Sequence, residues 1–165
     1  MATLEKKDFK LKLETLDIHE IIDRALENIN IQIEKRDGVI RKKFEASDKN
    51  VVADEVHLTN IIYNLLDNAN KYSRQKPEII ISTKNQKGGI IVQITDKGIG
   101  MSKEVLHRIF ERFYREPTGN LHDVKGFGLG LTYVKTMLDA LGGSIDVRSD
   151  VAKGSTFEIY LPQNG

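Results

Sequence analysis

Cysteine is absent from this 165-residue chain, which excludes a disulfide framework and a thiolate metal site and accords with a reducing compartment. An excess of charge of either sign is lacking too. Lysines and arginines number 25 against 24 aspartates and glutamates, a net charge of +1, so no overall field draws the chain to nucleic acid or to an anionic membrane. The basic residues are scattered, and no basic run is interleaved with aromatics in the way nucleic-acid binding requires. Long hydrophobic runs are missing as well. Runs such as Ile90 to Val92 are far too short to cross a bilayer, and Met1 to Leu16 holds no apolar signal core. There is no internal repeat and no low-complexity segment. What these absences leave is one soluble domain with a sizeable core, since 39% of the residues are hydrophobic and 30% charged over a length too short for two domains.

What is present reads as alternating strands and helices. Phe9, Leu11 and Leu13 alternate with Lys10, Lys12 and Glu14, the period of a half-buried strand. Asp17 and Glu20 form a capping pair for a helix with Ile18, Ile21, Ile22, Ala25, Leu26 and Ile29 on one face. Asp37-Gly38 turns the chain into a strand over Val39 to Phe44. Val51 to Ala53 makes a short further strand before Asp54 caps a second helix. On that helix Leu58, Ile61, Ile62, Leu65, Leu66 and Ala69 share an apolar face, and Asn60, Asn64, Asn68 and Lys71 a neighbouring polar stripe. Carboxamides a turn apart with an ammonium behind them suit a magnesium-bound polyphosphate, and they equally suit a solvated helix face.

After Pro77, the runs Glu78 to Lys84 and Gly89 to Asp96 read as an antiparallel hairpin joined by Asn-Gln-Lys-Gly-Gly. Ile90, Val92 and Ile94 set its inward face, and Asp96 falls in the same register. A carboxylate there must find a donor or carry a heavy desolvation cost, and the exocyclic amine of a purine is one such donor. Asp96-Lys-Gly-Ile-Gly-Met101 follows, with two glycines that allow close approach to a flat ligand, or simply a tight turn. Ser102 caps a helix expected to run through Phe113, with Val105, Leu106, Ile109 and Phe110 on its apolar side. Glu116 to Lys125 is a polar loop with the character of a lid or of a passive connector. Gly126-Phe127-Gly128-Leu129-Gly130-Leu131 then precedes an apolar helix to Leu141, and unpaired amides at such a start form an anion site. Ser144 to Ser149 and Ser155 to Leu161 close the chain as a second hairpin.

Four signals thus stand in order: Asn64-Leu-Leu-Asp-Asn-Ala-Asn-Lys-Tyr-Ser73, Asp96 to Met101, Ile109-Phe-Glu-Arg-Phe-Tyr-Arg115, and Gly126 to Leu131. Together they resemble the N box, first glycine box, F box and second glycine box of the catalytic ATP-binding domain of bacterial sensor histidine kinases, in the GHKL superfamily. The resemblance covers nearly the whole chain. Residues 9–162 would be the ATP-binding catalytic domain, residues 1–8 a leader or the end of an upstream linker, and residues 163–165 a tail. It implies a two-layer α/β sandwich of the Bergerat type, with a mixed sheet of about five strands, helices on one face and a flexible ATP lid. The implied cofactors are ATP and Mg²⁺.

Residue by residue, the resemblance implies that Asn68 ligates magnesium, with Asn64 beside the metal and phosphates and Lys71 on phosphate. Tyr72 would wall the nucleotide. Asp96 would accept from the adenine amine, with Gly98, Ile99 and Gly100 forming that side of the pocket and Thr156 near the base. Phe110 and Phe113 would anchor the lid, Arg115 would reach the γ-phosphate, and Gly126, Phe127, Gly128, Leu129 and Gly130 would cradle the phosphates. Asn64, Lys71 and Arg115 would carry the catalysis. Hydrolytic members of the superfamily hold a glutamate at the position matching Asn64 to activate water, and an amide cannot take a proton. The implied reaction is therefore phosphoryl transfer from Mg·ATP to a histidine on a separate dimerisation and phosphotransfer domain.

None of His19, His57, His107 or His122 has the setting of that acceptor, so the domain alone is expected not to autophosphorylate. His19 reads as a surface structural residue, His57 as part of the start of the second helix, and His107 and His122 as solvated. Further implied partners are a response regulator downstream and no nucleic acid. The isolated domain is expected to be a cytoplasmic monomer that does not span a membrane, from an inner-membrane parent. Two other readings share the pocket: a serine protein kinase of the anti-sigma type, and a non-catalytic nucleotide-sensing interaction module.

Overall fold

The structure is a computed structural model that describes residues 10–110 and 130–164. Its elements are β1 (Leu13–Asp17), α1 (Ile18–Lys35), β2 (Val39–Phe44), β3 (Asn50–Asp54), α2 (Glu55–Lys71), β4 (Glu78–Gln86), β5 (Gly89–Asp96), α3 (Lys103–Arg108), α4 (Gly130–Ala140), β6 (Ser144–Asp150) and β7 (Gly154–Pro162). The main sheet has the order β2-β4-β5-β7-β6; β2 runs parallel to β4 and every other pairing is antiparallel. This is the expected mixed sheet of about five strands. β1 and β3 form a separate antiparallel ribbon.

The two long helices form where the sequence carries both a cap and an apolar stripe. Asp17 Oδ1 accepts from the His19 amide at 2.8 Å and starts α1; Asp54 Oδ1 accepts from the His57 amide at 3.1 Å and starts α2. The apolar faces of α1 and α2, from Ile18 to Ile33 and from Leu58 to Ala69, meet each other and the inward residues Ile79, Ile81, Ile90, Val92, Ile94, Phe157, Ile159 and Leu161 of the sheet. Leu58, Ile61, Ile62 and Leu66 are fully buried. Each such side chain contributes about 1.5–3 kcal/mol by leaving water. The core therefore holds α2 rigidly, and its polar stripe with it. α4 joins the same core through Val134, Met137 and Leu138. It stops where Gly142 takes a positive φ and the Gly143 amide returns 2.8 Å to the Leu138 carbonyl.

Three expectations shift. The first strand begins at Leu13, because only Leu13 to Asp17 lie opposite the five residues of β3, and Phe9, where the alternation starts, lies outside the described residues. Ahead of it the Lys12 amide is taken by Asp54 Oδ2 at 2.9 Å, while Leu11 packs against the core. The helix capped by Ser102 ends at Arg108 and passes into a turn at Ile109 and Phe110. Phe113, where that helix was expected to end, lies outside the described residues. His19 is half-buried rather than a surface residue: its ring stacks on Phe44 at 4.2 Å, and its Nε2 lies 2.7 Å from Thr83 Oγ1. Burial lowers its pKa from the ordinary value.

The C-terminus of α2 is finished from outside the helix. Arg36, just beyond the end of α1, donates to the Asn70 carbonyl, to Asn70 Oδ1 at 2.9 Å, to the Ser73 carbonyl at 3.1 Å and to the Arg74 carbonyl. A cation there adds to the bonding of the last turn of α2 and of the residues that follow it, and sits at the negative end of the helix dipole. Replacing Arg36 by alanine should lower stability by about 2 kcal/mol, with Arg36→Lys falling between, because one ammonium cannot reach all four acceptors. Urea denaturation of the two variants, followed by circular dichroism, checks this.

Candidate functional site

The polar stripe of α2 faces away from the core. Asn64 and Asn68 are half-buried, and Asn60, a turn earlier, is exposed. Asn64 Nδ2 donates to the Asn60 carbonyl at 2.8 Å, which leaves Asn64 Oδ1 directed at the first residue of α4. A Cβ built on Gly130 would stand 3.5 Å from that oxygen. Lys71 forms an ion pair with Asp67 Oδ2 at 2.8 Å, one turn back along the same helix. The structure therefore brings Asn64, Gly130 and Lys71 to one side of α2, with Asn68 between them on the stripe.

The end of α2 is joined to the loop after β5. Tyr72 caps the helix, and its carbonyl accepts from the Ile99 amide at 3.1 Å. Gly98 passes so close that a Cβ there would lie 2.2 Å from the Tyr72 carbonyl oxygen, a distance no side chain can adopt. On its other side the loop meets the turn between β6 and β7. The Ile99 carbonyl accepts from the Ala152 amide at 2.7 Å, and Gly100, at φ +69°, would place a Cβ 1.9 Å from the Asp150 carbonyl oxygen. Ser149 Oγ receives the Met101 amide at 2.7 Å and lies 2.7 Å from Ser155 Oγ. The loop from Asp96 to Met101 is thus gripped on both sides by backbone.

Asp96 stands at the mouth of this arrangement and is only 5% exposed. Oδ1 accepts from the Gly98 amide at 2.8 Å, which leaves acceptor capacity on the carboxylate for a donor from a ligand. Desolvation outweighs the favourable pull of the neighbouring Gly98 and Ser155 amides and pushes its pKa up to about 6.

Asp96 and Ser155 pair across β5 and β7 and share the helix-facing side of the sheet. Thr156 does not share it. Its hydroxyl lies 3.1 Å from Thr95 Oγ1, its cross-strand partner, on the opposite face. By strand alternation the Thr156 side chain, expected near a base bound at Asp96, lies on the face away from the Asp96 carboxylate. Ser155 is the residue beside Asp96. A period-2 reading anchored on Phe157 and Ile159 finds it.

Phe110 is half-buried against the core, and its carbonyl accepts from Thr132 Oγ1 at 3.1 Å, so the turn after α3 and the first turn of α4 are tied together. Phe113, Arg115, Gly126, Phe127, Gly128 and Leu129, and the loop from Glu116 to Lys125, lie outside the described residues.

Chemically, the site offers one buried acceptor at the end of the sheet and neutral carboxamides along α2, with a helix start beside them. Amide oxygens are hard donors that suit a Mg²⁺ arriving with its own anion. Among the described residues there is no group of three or more histidines, aspartates or glutamates that could hold a metal ion unaided. The donor set fits a metal delivered with a polyphosphate, with Asn68 and Asn64 Oδ1 as the residues available to it.

Comparison with known proteins agrees with the fold. A family model described as histidine kinase-, DNA gyrase B-, and HSP90-like ATPase matches residues 53–165. Sensor protein RprX of Bacteroides fragilis is 40% identical over 164 residues, covering 98% of this chain and 32% of that protein. The chain spans about a third or less of the length of the curated relatives it matches. Among solved structures, the mycobacterial sensor histidine kinase MprB aligns with a TM-score of 0.77 at 29% identity, covering 92% of this chain and 97% of that one. Full-length ShkA in complex with AMPPNP shares the fold, with a TM-score of 0.81 at 24% identity over 93% of this chain and 32% of ShkA.

The raised pKa of Asp96 has a sign that can be measured. Between about pH 4, where an unfolded aspartate ionises, and about pH 6, where native Asp96 does, the native state holds more protons than the unfolded one. Stability from this group is full below pH 4 and is lost as pH rises through 6. The stability difference between the Asp96→Asn variant and the native chain should therefore move in the variant's favour by about 2–3 kcal/mol across that window and stay flat above it. Denaturant titrations at pH 4, 5, 6 and 7.5 check it.

Proposed function

The chain belongs to the histidine kinase-, DNA gyrase B-, and HSP90-like ATPase family, and from that premise we propose that it is the ATP-binding catalytic domain of a two-component sensor histidine kinase. In this reading it transfers the γ-phosphate of Mg·ATP to a histidine on a dimerisation and phosphotransfer domain of the same parent protein. The observation that carries the reading is the direct backbone joint between the Tyr72 carbonyl and the Asp96 loop. It sets a buried base acceptor at a fixed distance from the carboxamides of α2. A purine amine at Asp96 and a polyphosphate along Asn64 and Asn68 are then parts of one ligand.

Each residue has a task in this reading. Asp96 accepts from the adenine amine, and Gly98, Ile99 and Gly100 let the base approach the backbone. Tyr72 walls the nucleotide. Asn68 holds Mg²⁺, which when bound neutralises phosphate charge; Asn64 Oδ1 stands beside it. Lys71 exchanges Asp67 for phosphate. Arg115 reaches the γ-phosphate, Phe113 anchors the lid, and Gly126, Phe127, Gly128, Leu129 and Gly130 cradle the phosphates. Asn64 offers no base to activate water, so ATP is kept for a protein acceptor and catalysis rests on positioning and charge stabilisation.

The domain works beside a response regulator and in the cytoplasm, under an inner-membrane parent. No helix among the described residues is long and apolar enough to cross a membrane.

Supplying the chain with the parent's dimerisation and histidine domain and γ-labelled ATP should give acid-labile, base-stable phosphate on that domain. Acid-stable phosphoserine on a partner would point to a serine kinase instead, and no transfer despite nucleotide binding would overturn the kinase reading. Asp96→Asn should weaken Mg·ATP by about tenfold or more with an unchanged circular dichroism spectrum. Calorimetric titration of both proteins measures it, and equal affinities would remove the adenine assignment.

A further inference from the structure

Tyr133 lies in the first turn of α4, in a stretch whose sequence reads simply as an apolar helix. Its ring packs half-buried against the core, but its hydroxyl finds a polar partner. The Tyr133 oxygen lies 2.7 Å from His57 Nδ1. A phenol and a neutral imidazole are complementary there, the O–H donating to a bare Nδ1 or an Nδ1–H donating to the phenol oxygen. The two rings lie 6.0 Å apart at 42°. One hydroxyl on α4 is thus tied to the first turn of α2, the helix that carries Asn64. The same turn of α4 carries Gly130, which stands against Asn64 Oδ1.

We propose that Tyr133 is a positioning residue for the polyphosphate. Through His57 it bolts the start of α4 to α2, so that the helix start and the Asn64 oxygen face the same anion. The inference rests on the reading that Mg·ATP lies along α2. It adds to that reading a residue pair, His57 and Tyr133, that acts on phosphate binding without touching the nucleotide. Val134, Met137 and Leu138 hold α4 to the core further along, so the hydroxyl governs the first turn rather than the docking of the whole helix.

The test separates phosphate from base. In the full chain, Tyr133→Phe keeps the ring and removes the hydroxyl. It should weaken Mg·ATP by roughly three- to tenfold, the effect of one hydrogen bond, and leave adenosine binding at the Asp96 pocket unchanged. His57→Leu should do the same. His57→Asn, which retains a polar atom near the Nδ1 position, should restore native affinity, and the Tyr133→Phe/His57→Leu double variant should be no worse than either single one. Calorimetry with Mg·ATP and an NMR titration with adenosine read these outcomes. Equal losses for the two ligands, or no loss for Mg·ATP, would overturn the positioning role while leaving the nucleotide site standing. A native chain that binds neither ligand would overturn both.

Discussion

Arg36 ends α2, and much of the site depends on that ending. The last carbonyls of a helix have few donors of its own, and here the guanidinium of Arg36, just beyond α1, donates to Asn70 in the last turn of α2 and to Ser73 and Arg74 after it. With those groups satisfied, the Tyr72 carbonyl is held for Ile99. Through Ile99 the Asp96 loop takes its position, and through Asp96 the end of β5. The core fixes the body of α2 by burying its leucines and isoleucines. The charge-assisted bonds of Arg36 fix its last turn, where burial alone would leave it free to fray.

The polar features of the site form a series of one-to-one commitments. Asp54 takes both the Lys12 amide and the first turn of α2. The Asn60 carbonyl holds Asn64 Nδ2. Asp96 Oδ1 holds the Gly98 amide. Because each group is occupied in a defined direction, the atoms left over are also directed. The Asn64 oxygen faces the start of α4, and Asp96 keeps acceptor capacity in an environment dry enough to raise its pKa. Preorganisation of this kind lets a ligand bind without first reordering the protein.

Most of this was legible in the sequence wherever the signal was periodic or chemically singular. The α1 and α2 stripes, their aspartate caps, the hairpin placing Asp96 inward and the crowded glycines could all be read from residue type and spacing. The carboxamides of α2 could be read too, though only their company in the chain argued for a ligand. Less legible was whatever depended on partners far apart in the chain. Arg36 meets Asn70 across 34 residues and Tyr133 meets His57 across 76. Nothing local marks either arginine or tyrosine as special. The face taken by Thr156 was a matter of register rather than of chemistry, since one step along a strand reverses it. The early start given to β1 came from an alternating pattern that continued beyond the residues β3 could pair.

The glycines around Asp96 bear on how this loop can change over generations. A side chain at Gly98 would strike the carbonyl of Tyr72, one at Gly100 the carbonyl of Asp150, and one at Gly154 the carbonyl of Asp96. At each position the nearest obstacle is main chain. A clash with a side chain can be relieved by a second substitution that shortens the offending residue, but no codon change removes a peptide oxygen. These positions therefore have no compensating partner in the rest of the sequence. Drift is open to the surface of α1 or to the outer face of the sheet, while the loop that presents Asp96 can only be kept or lost as a whole.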